Sequence, residues 1–84
     1  MNTFGIVEKD VHGMTTEEAM KEIHRLLEVS GSSTYRIRVI HGFHGGTRIR
    51  DELREEFGFS REPKVKRIVP GDNMGITELI LREL

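Results

Sequence analysis

The sequence contains two His-Gly steps, Asp10-Val11-His12-Gly13 and His41-Gly42-Phe43-His44-Gly45-Gly46-Thr47, each standing where a strand-like run gives way to a helix-like one. An imidazole can take up and return a proton near neutral pH, and a neighbouring carboxylate can orient it. Glycines let an anionic oxygen reach backbone amides without a Cβ in the way. The amides opening a helix near Thr47 offer a positive dipole end, and Arg48 and Arg50 add cationic donors. These residue types fit work on a phosphodiester. Asp10, His12 and His41 are the candidate catalytic groups, and Gly13, Gly42, Phe43, His44, Gly45, Gly46, Thr47, Arg48 and Arg50 the candidates to hold phosphate or nucleic acid. Phe43 is the one candidate to stack on a base.

Taken singly, each residue has a plainer use: Asp10 as a turn carboxylate, His12 as a donor to backbone, the glycines as tight turns. The repetition of His-Gly at two strand ends is what favours a shared site. His24 falls outside it, on the flank of a helix, and is expected as a partly exposed surface imidazole. The spacings from His12 to His41 and His44 match no local zinc pattern, so any metal is unknown; a divalent ion such as Mg²⁺ is compatible with the chemistry but has no ligand set in the sequence.

The elements that must position these residues can be read in order. A strand over Phe4 to Val11 leads to Thr15-Thr16-Glu17-Glu18, which fits a capping box. The apolar positions Ala19, Met20, Ile23, Leu26 and Leu27 then form one helical stripe. Ser30-Gly31 should end that helix, with Gly31 in the left-handed conformation. Tyr35 to Ile40 alternates as a strand, Ile49, Leu53 and Phe57 mark a second helix from Thr47 to Gly58, and Pro63 forbids its continuation. Lys64 to Val69 and Ile76 to Leu81 complete a hairpin across a glycine-rich turn. The order is βαβαββ: an α/β fold, a two-layer sandwich on a four-stranded mixed sheet, with the first three strands parallel to one another and the last antiparallel. In such sheets ligands sit beyond the carboxyl ends of the parallel strands, where both His-Gly loops emerge.

Eighty-four residues without cysteine make one domain over 1–84 that must be held by packing alone. No apolar run is long enough to span a bilayer and no leader is visible, so the expectation is a cytoplasmic protein with no membrane partner. The net charge of −1 argues against a strongly basic nucleic-acid binder, but the mean hides a gradient. Residues 34–71 carry 9 basic and 5 acidic groups, against 3 and 6 before them and 1 and 3 after, so one face can be positive on a nearly neutral molecule.

The pairing of "DVHGMTTEEA" with "RVIHGFHGGT", closed by "GITELIL", resembles the Smr domain, the small MutS-related module. That family has an L-D-x-H-G strand end, a T-x-x-E-A helix, an I-I-H-G-x-G loop and a G-V-T-x-x-x-L final strand. By position Asp10, His12 and Gly13 match the first motif, His41 and Gly42 open the second, and Gly75, Ile76, Thr77 and Leu79 match the last. Two positions depart: Lys9 stands at the family's leucine and His44 at the second glycine of H-G-x-G. The resemblance implies the same fold and nucleic-acid binding, and in several members endonuclease activity on DNA or RNA. The leading expectation is therefore a nucleic-acid-binding domain with endonuclease chemistry on structured or single-stranded DNA or RNA. The alternative is a non-catalytic RNA- or ribonucleoprotein-binding module. A scaffold that pairs with other proteins through its open sheet face is a third.

Overall fold

The computed structural model describes residues 2–3, 5–58 and 61–83. The elements are β1 (Asn2–Thr3), β2 (Ile6–Asp10), α1 (Thr16–Val29), β3 (Arg36–Ile40), α2 (Arg48–Phe57), β4 (Arg67–Pro70) and β5 (Ile76–Ile80). The sheet order is β1-β2-β3-β5-β4. β2 and β3 pair in parallel, with Val7 opposite Ile37 and Lys9 opposite Val39, while β5 runs antiparallel to both β3 and β4. This is the expected βαβαββ mixed sheet, with β4 pointing the same way as β2 and β3 but separated from β3 by β5. The two-residue β1 folds back antiparallel on β2 and extends the edge. Phe4, where the first strand was expected to begin, lies outside the described residues.

Successive crossovers run in one direction across the sheet, so both helices cover the same face. Alternation then decides what is buried. Ile37 and Val39 of β3 and Leu79 of β5 face the helices and meet Ala19, Ile23 and Leu27 of α1 and Leu53 and Phe57 of α2 in a core closed by Val11 and Val65. Each large aliphatic or aromatic side chain removed from water there contributes roughly 1.5–3 kcal/mol. Lys9 also faces the helices, and its ammonium reaches Glu22 on α1 at 3.3 Å.

Two boundaries differ from the sequence expectation for identifiable reasons. α1 ends on an extended Ser30 whose hydroxyl donates to the Leu26 carbonyl at 2.6 Å, and Gly31 does not take the left-handed conformation. The side chain satisfies the orphan carbonyl that a glycine cap would have served. β4 begins at Arg67 and not Lys64, because turns closed by Arg61 N–H to Gly58 O and Val65 N–H to Glu62 O sink Val65 into the core first.

The face without helices carries an ion network in place of a bare apolar surface. Glu78 is 4% exposed and accepts from Arg36 Nη1 at 2.6 Å, while Arg38 Nε lies 3.5 Å away. Arg38 Nη1 also donates to Glu8 at 3.1 Å. Two arginines of the basic middle segment are thereby committed inside the fold.

Candidate nucleic-acid interface

Both His-Gly loops emerge at one edge of the sheet because β2 and β3 are parallel neighbours, and the ladder continues past the strands through Val11 N–H to Ile40 O at 2.9 Å. Between the loops lies a cleft of about 690 Å³ lined by His12, Gly13, His41 to Gly46, Arg48 and Arg50. Of the residues singled out from the sequence, only Asp10 and Thr47 do not line it.

Asp10 acts one step back. Its Oδ1 accepts from the His12 backbone N–H at 3.0 Å and from His12 Nδ1. The His12 side-chain hydrogen bond, with support from the backbone one, holds the Asp10 carboxyl below the usual aspartate value. With Nδ1–H donating to the carboxylate, Nε2 of a neutral His12 is the acceptor nitrogen, and it has no partner among the described residues. An exposed, oriented ring with a free Nε2 is the geometry of a general base.

His41 is placed differently. It is 8% exposed, its Nδ1–H donates to Gly42 O at 2.7 Å, and its Nε2 pairs with Thr77 Oγ1 at 2.8 Å. A carbonyl can only accept, so Nδ1 carries the proton and Nε2 of the neutral ring accepts from the Thr77 hydroxyl. Both nitrogens are committed, although the ring forms part of the cleft wall. The Gly75 carbonyl then receives the amides of His41 and Gly42 at 2.9 and 3.0 Å. Gly75 and Thr77 therefore moor the second loop to β5. Periodicity could not assign them this role; the only sequence signal was the closing Gly-Ile-Thr.

The chain leaves β3 through Gly42 in the left-handed region, φ 75°, which points the loop back over the sheet edge toward His12. α2 then starts at Thr47 with no side-chain cap. The Thr47 hydroxyl donates instead to Asp51 Oδ2 at 2.9 Å, and that hydrogen bond is the main cause holding the Asp51 carboxyl below its usual value. The first backbone bond of the helix runs from Asp51 N–H to Thr47 O, so the amides of residues 48–50 stay free of capping partners beside the cleft. Arg50 pairs with Asp51 at 3.2 Å, whereas Arg48 is exposed and has no ion pair among the described residues. Glu17 is the one carboxylate lining the cleft; Glu52 lies instead on a second depression between the helices, where Glu17, Glu28 and Glu56 also gather. His24 is part-exposed there as expected, donating to Glu56 at 2.8 Å and resting against Phe57.

Among the described residues no three His, Asp or Glu side chains stand together to hold a metal ion. No helix among them is long and apolar enough to cross a membrane.

Comparison with known proteins agrees with this arrangement. The solved Smr domain of Thermus thermophilus MutS2 superposes with a TM-score of 0.77 at 27% sequence identity, over 92% of this chain and 99% of that one. No curated protein sequence matches the chain. The family model for the Smr domain matches residues 9–75, from the start of the first His-Gly motif through the turn that moors the second. With the match spanning most of the sequence and both loops that form the cleft, the chain belongs to the Smr domain family.

Proposed function

We propose that the chain binds nucleic acid in the cleft between the two His-Gly loops and cleaves a phosphodiester there. The observation that carries this reading is the Asp10–His12 pair with its free Nε2 on the rim of the cleft that also receives the uncapped start of α2. The helix amides and Arg48 hold a phosphate oxygen and offset the charge that grows on it as the nucleophile arrives. His12 Nε2 takes the proton from the attacking oxygen, a water or a ribose 2′-hydroxyl, and Asp10 stabilises the resulting imidazolium. The bond from phosphorus to the leaving oxygen breaks, and that oxygen takes its proton from solvent. His41 is a positioning residue in this scheme, holding the phosphate loop to β5.

The second reading, a binding module that does not cleave, is favoured by the commitment of both His41 nitrogens, which leaves one free imidazole where acid and base steps ordinarily use two groups. One experiment separates them: the purified domain on labelled single- and double-stranded DNA and RNA, with and without Mg²⁺, beside His12→Ala. Cleavage should fall by roughly 10²- to 10⁴-fold in the variant while affinity changes little. Cleavage at the same rate in His12→Ala sinks the nuclease, and tight binding by both proteins with no product establishes the module without catalysis.

A further inference from the structure

The Phe43 side chain is 41% exposed, and one exposed phenylalanine is ordinary on a small domain. Its setting is less so. The ring lies against that of His44 with centroids 4.4 Å apart and an interplanar angle of 28°. The two rings therefore form one extended, nearly flat surface at the cleft mouth. Glycines with positive φ, 75° at Gly42 and 111° at Gly46, bracket the segment that carries them.

Phe43 is also pinned from behind. Gly75 is buried, and a Cβ there would stand 3.4 Å from Phe43 Cδ1 and 3.2 Å from Gly42 Cα, so the ring edge rests on bare backbone. That backbone is itself fixed, since Gly75 N–H donates to Asn73 Oδ1 at 2.8 Å and Gly75 O takes the two amides of the His-Gly step. A moored aromatic face loses little conformational freedom when something stacks on it.

The occupant follows from what lies beside the rings. The same cleft holds Arg48 and the free amides of α2, a place for one phosphate. A planar π surface next to a phosphate site matches one nucleotide, with the base on the rings and the phosphate on the helix. In a duplex the base faces are already occupied by their neighbours, and only an unpaired or extruded base can offer one. We infer that the stacked Phe43 and His44 rings form a base platform that makes the cleft select unpaired nucleotides over duplex. This inference rests on the proposed nucleic-acid binding and specifies its substrate class. It belongs to this chain in particular, because His44 stands where the family motif has glycine.

Fluorescence anisotropy with labelled single strands of DNA and RNA, and with the duplex of each, tests it in EDTA so that nothing is cut. The parent should prefer a single strand. Phe43→Ala should lower single-strand affinity roughly tenfold or more and leave duplex affinity within about twofold, as loss of one base stack predicts. Arg48→Ala should weaken both forms alike. His44→Gly should produce a smaller loss confined to single strands. Phe43→Trp should keep the preference, and as the sole tryptophan it should be quenched on single-strand addition, which also shows the loop intact. Binding that persists with no strand preference, or that Phe43→Ala reduces equally for both forms or not at all, overturns the platform alone. A parent that binds none of the four probes overturns the proposed function and the platform with it.

Discussion

The two helices begin at the same edge of the sheet, each after a strand that ends in His-Gly, and they begin in opposite ways. α1 is closed on itself: Glu18 N–H donates to Thr15 Oγ1 at 3.1 Å, Thr15 N–H donates to Glu18 Oε1 at 2.9 Å, and Glu17 and Glu18 meet the positive end of the dipole. α2 has no side-chain cap, and Arg48 and Arg50 sit in its first turn, where like charge meets that end. A helix started this way is locally unfavourable, and an anion supplied from outside satisfies both the amides and the arginines. The contrast divides the labour of the cleft. The first loop, beside a sealed helix, presents a proton-transferring pair; the second, beside an open one, presents the seat for a phosphate.

The largest test of that division is to give α2 the sign of α1. In Arg48→Glu/Arg50→Glu, affinity for any nucleic acid should fall by about a hundredfold at moderate salt, and the slope of log affinity against log salt should shrink by up to about two, one for each lost phosphate contact. Anisotropy titrations across a salt series measure both. An unchanged salt slope means that phosphate sits elsewhere. The converse change, opening α1 with Thr15→Ala, should cost about 1 kcal/mol of stability in urea unfolding and leave affinity within twofold, because that end already serves itself. If Thr15→Ala weakens binding as strongly as the arginine changes do, the two ends are not distinct in function.

This asymmetry was only half legible in the sequence. Thr15 and Glu18 announce their cap, since the signal is local and depends on a spacing of three. Thr47 has the same residue type in the same place and makes no cap, because its backbone, φ −119° and ψ 18°, and its contact with Asp51 turn the hydroxyl away. The strand order and the meeting of the two loops followed from periodicity and crossover handedness, which are properties of runs of residues. The separate fates of the histidines did not. His12 and His41 occupy like positions after their strands, but His41 lies within reach of Thr77 on β5, a partner 36 residues away that no local pattern reveals. The basic middle segment was similarly misleading in part: Arg36 and Arg38 serve Glu78 and Glu8 on the sheet, and the charge left at the cleft rests on Arg48.

The smallest effect lies in the pair on the other loop. Asp10 is held below its ordinary value of 3.8, first by the hydrogen bond from the His12 side chain. A depressed folded-state value stabilises the fold above the unfolded value and ceases to do so as pH falls through the folded one. Both groups are largely exposed, at 51% and 69% of their side chains, so solvent screens the gain. In His12→Ala the Asp10 carboxyl should titrate closer to 3.8 by NMR, and the small stability difference from the parent should be full at pH 5 and close below about pH 4. An Asp10 titration identical in parent and variant would mean that the carboxylate does not orient the ring in solution. The base on the first loop would then need another partner, while the phosphate seat on the second would stand untouched, because its amides and Arg48 owe nothing to Asp10.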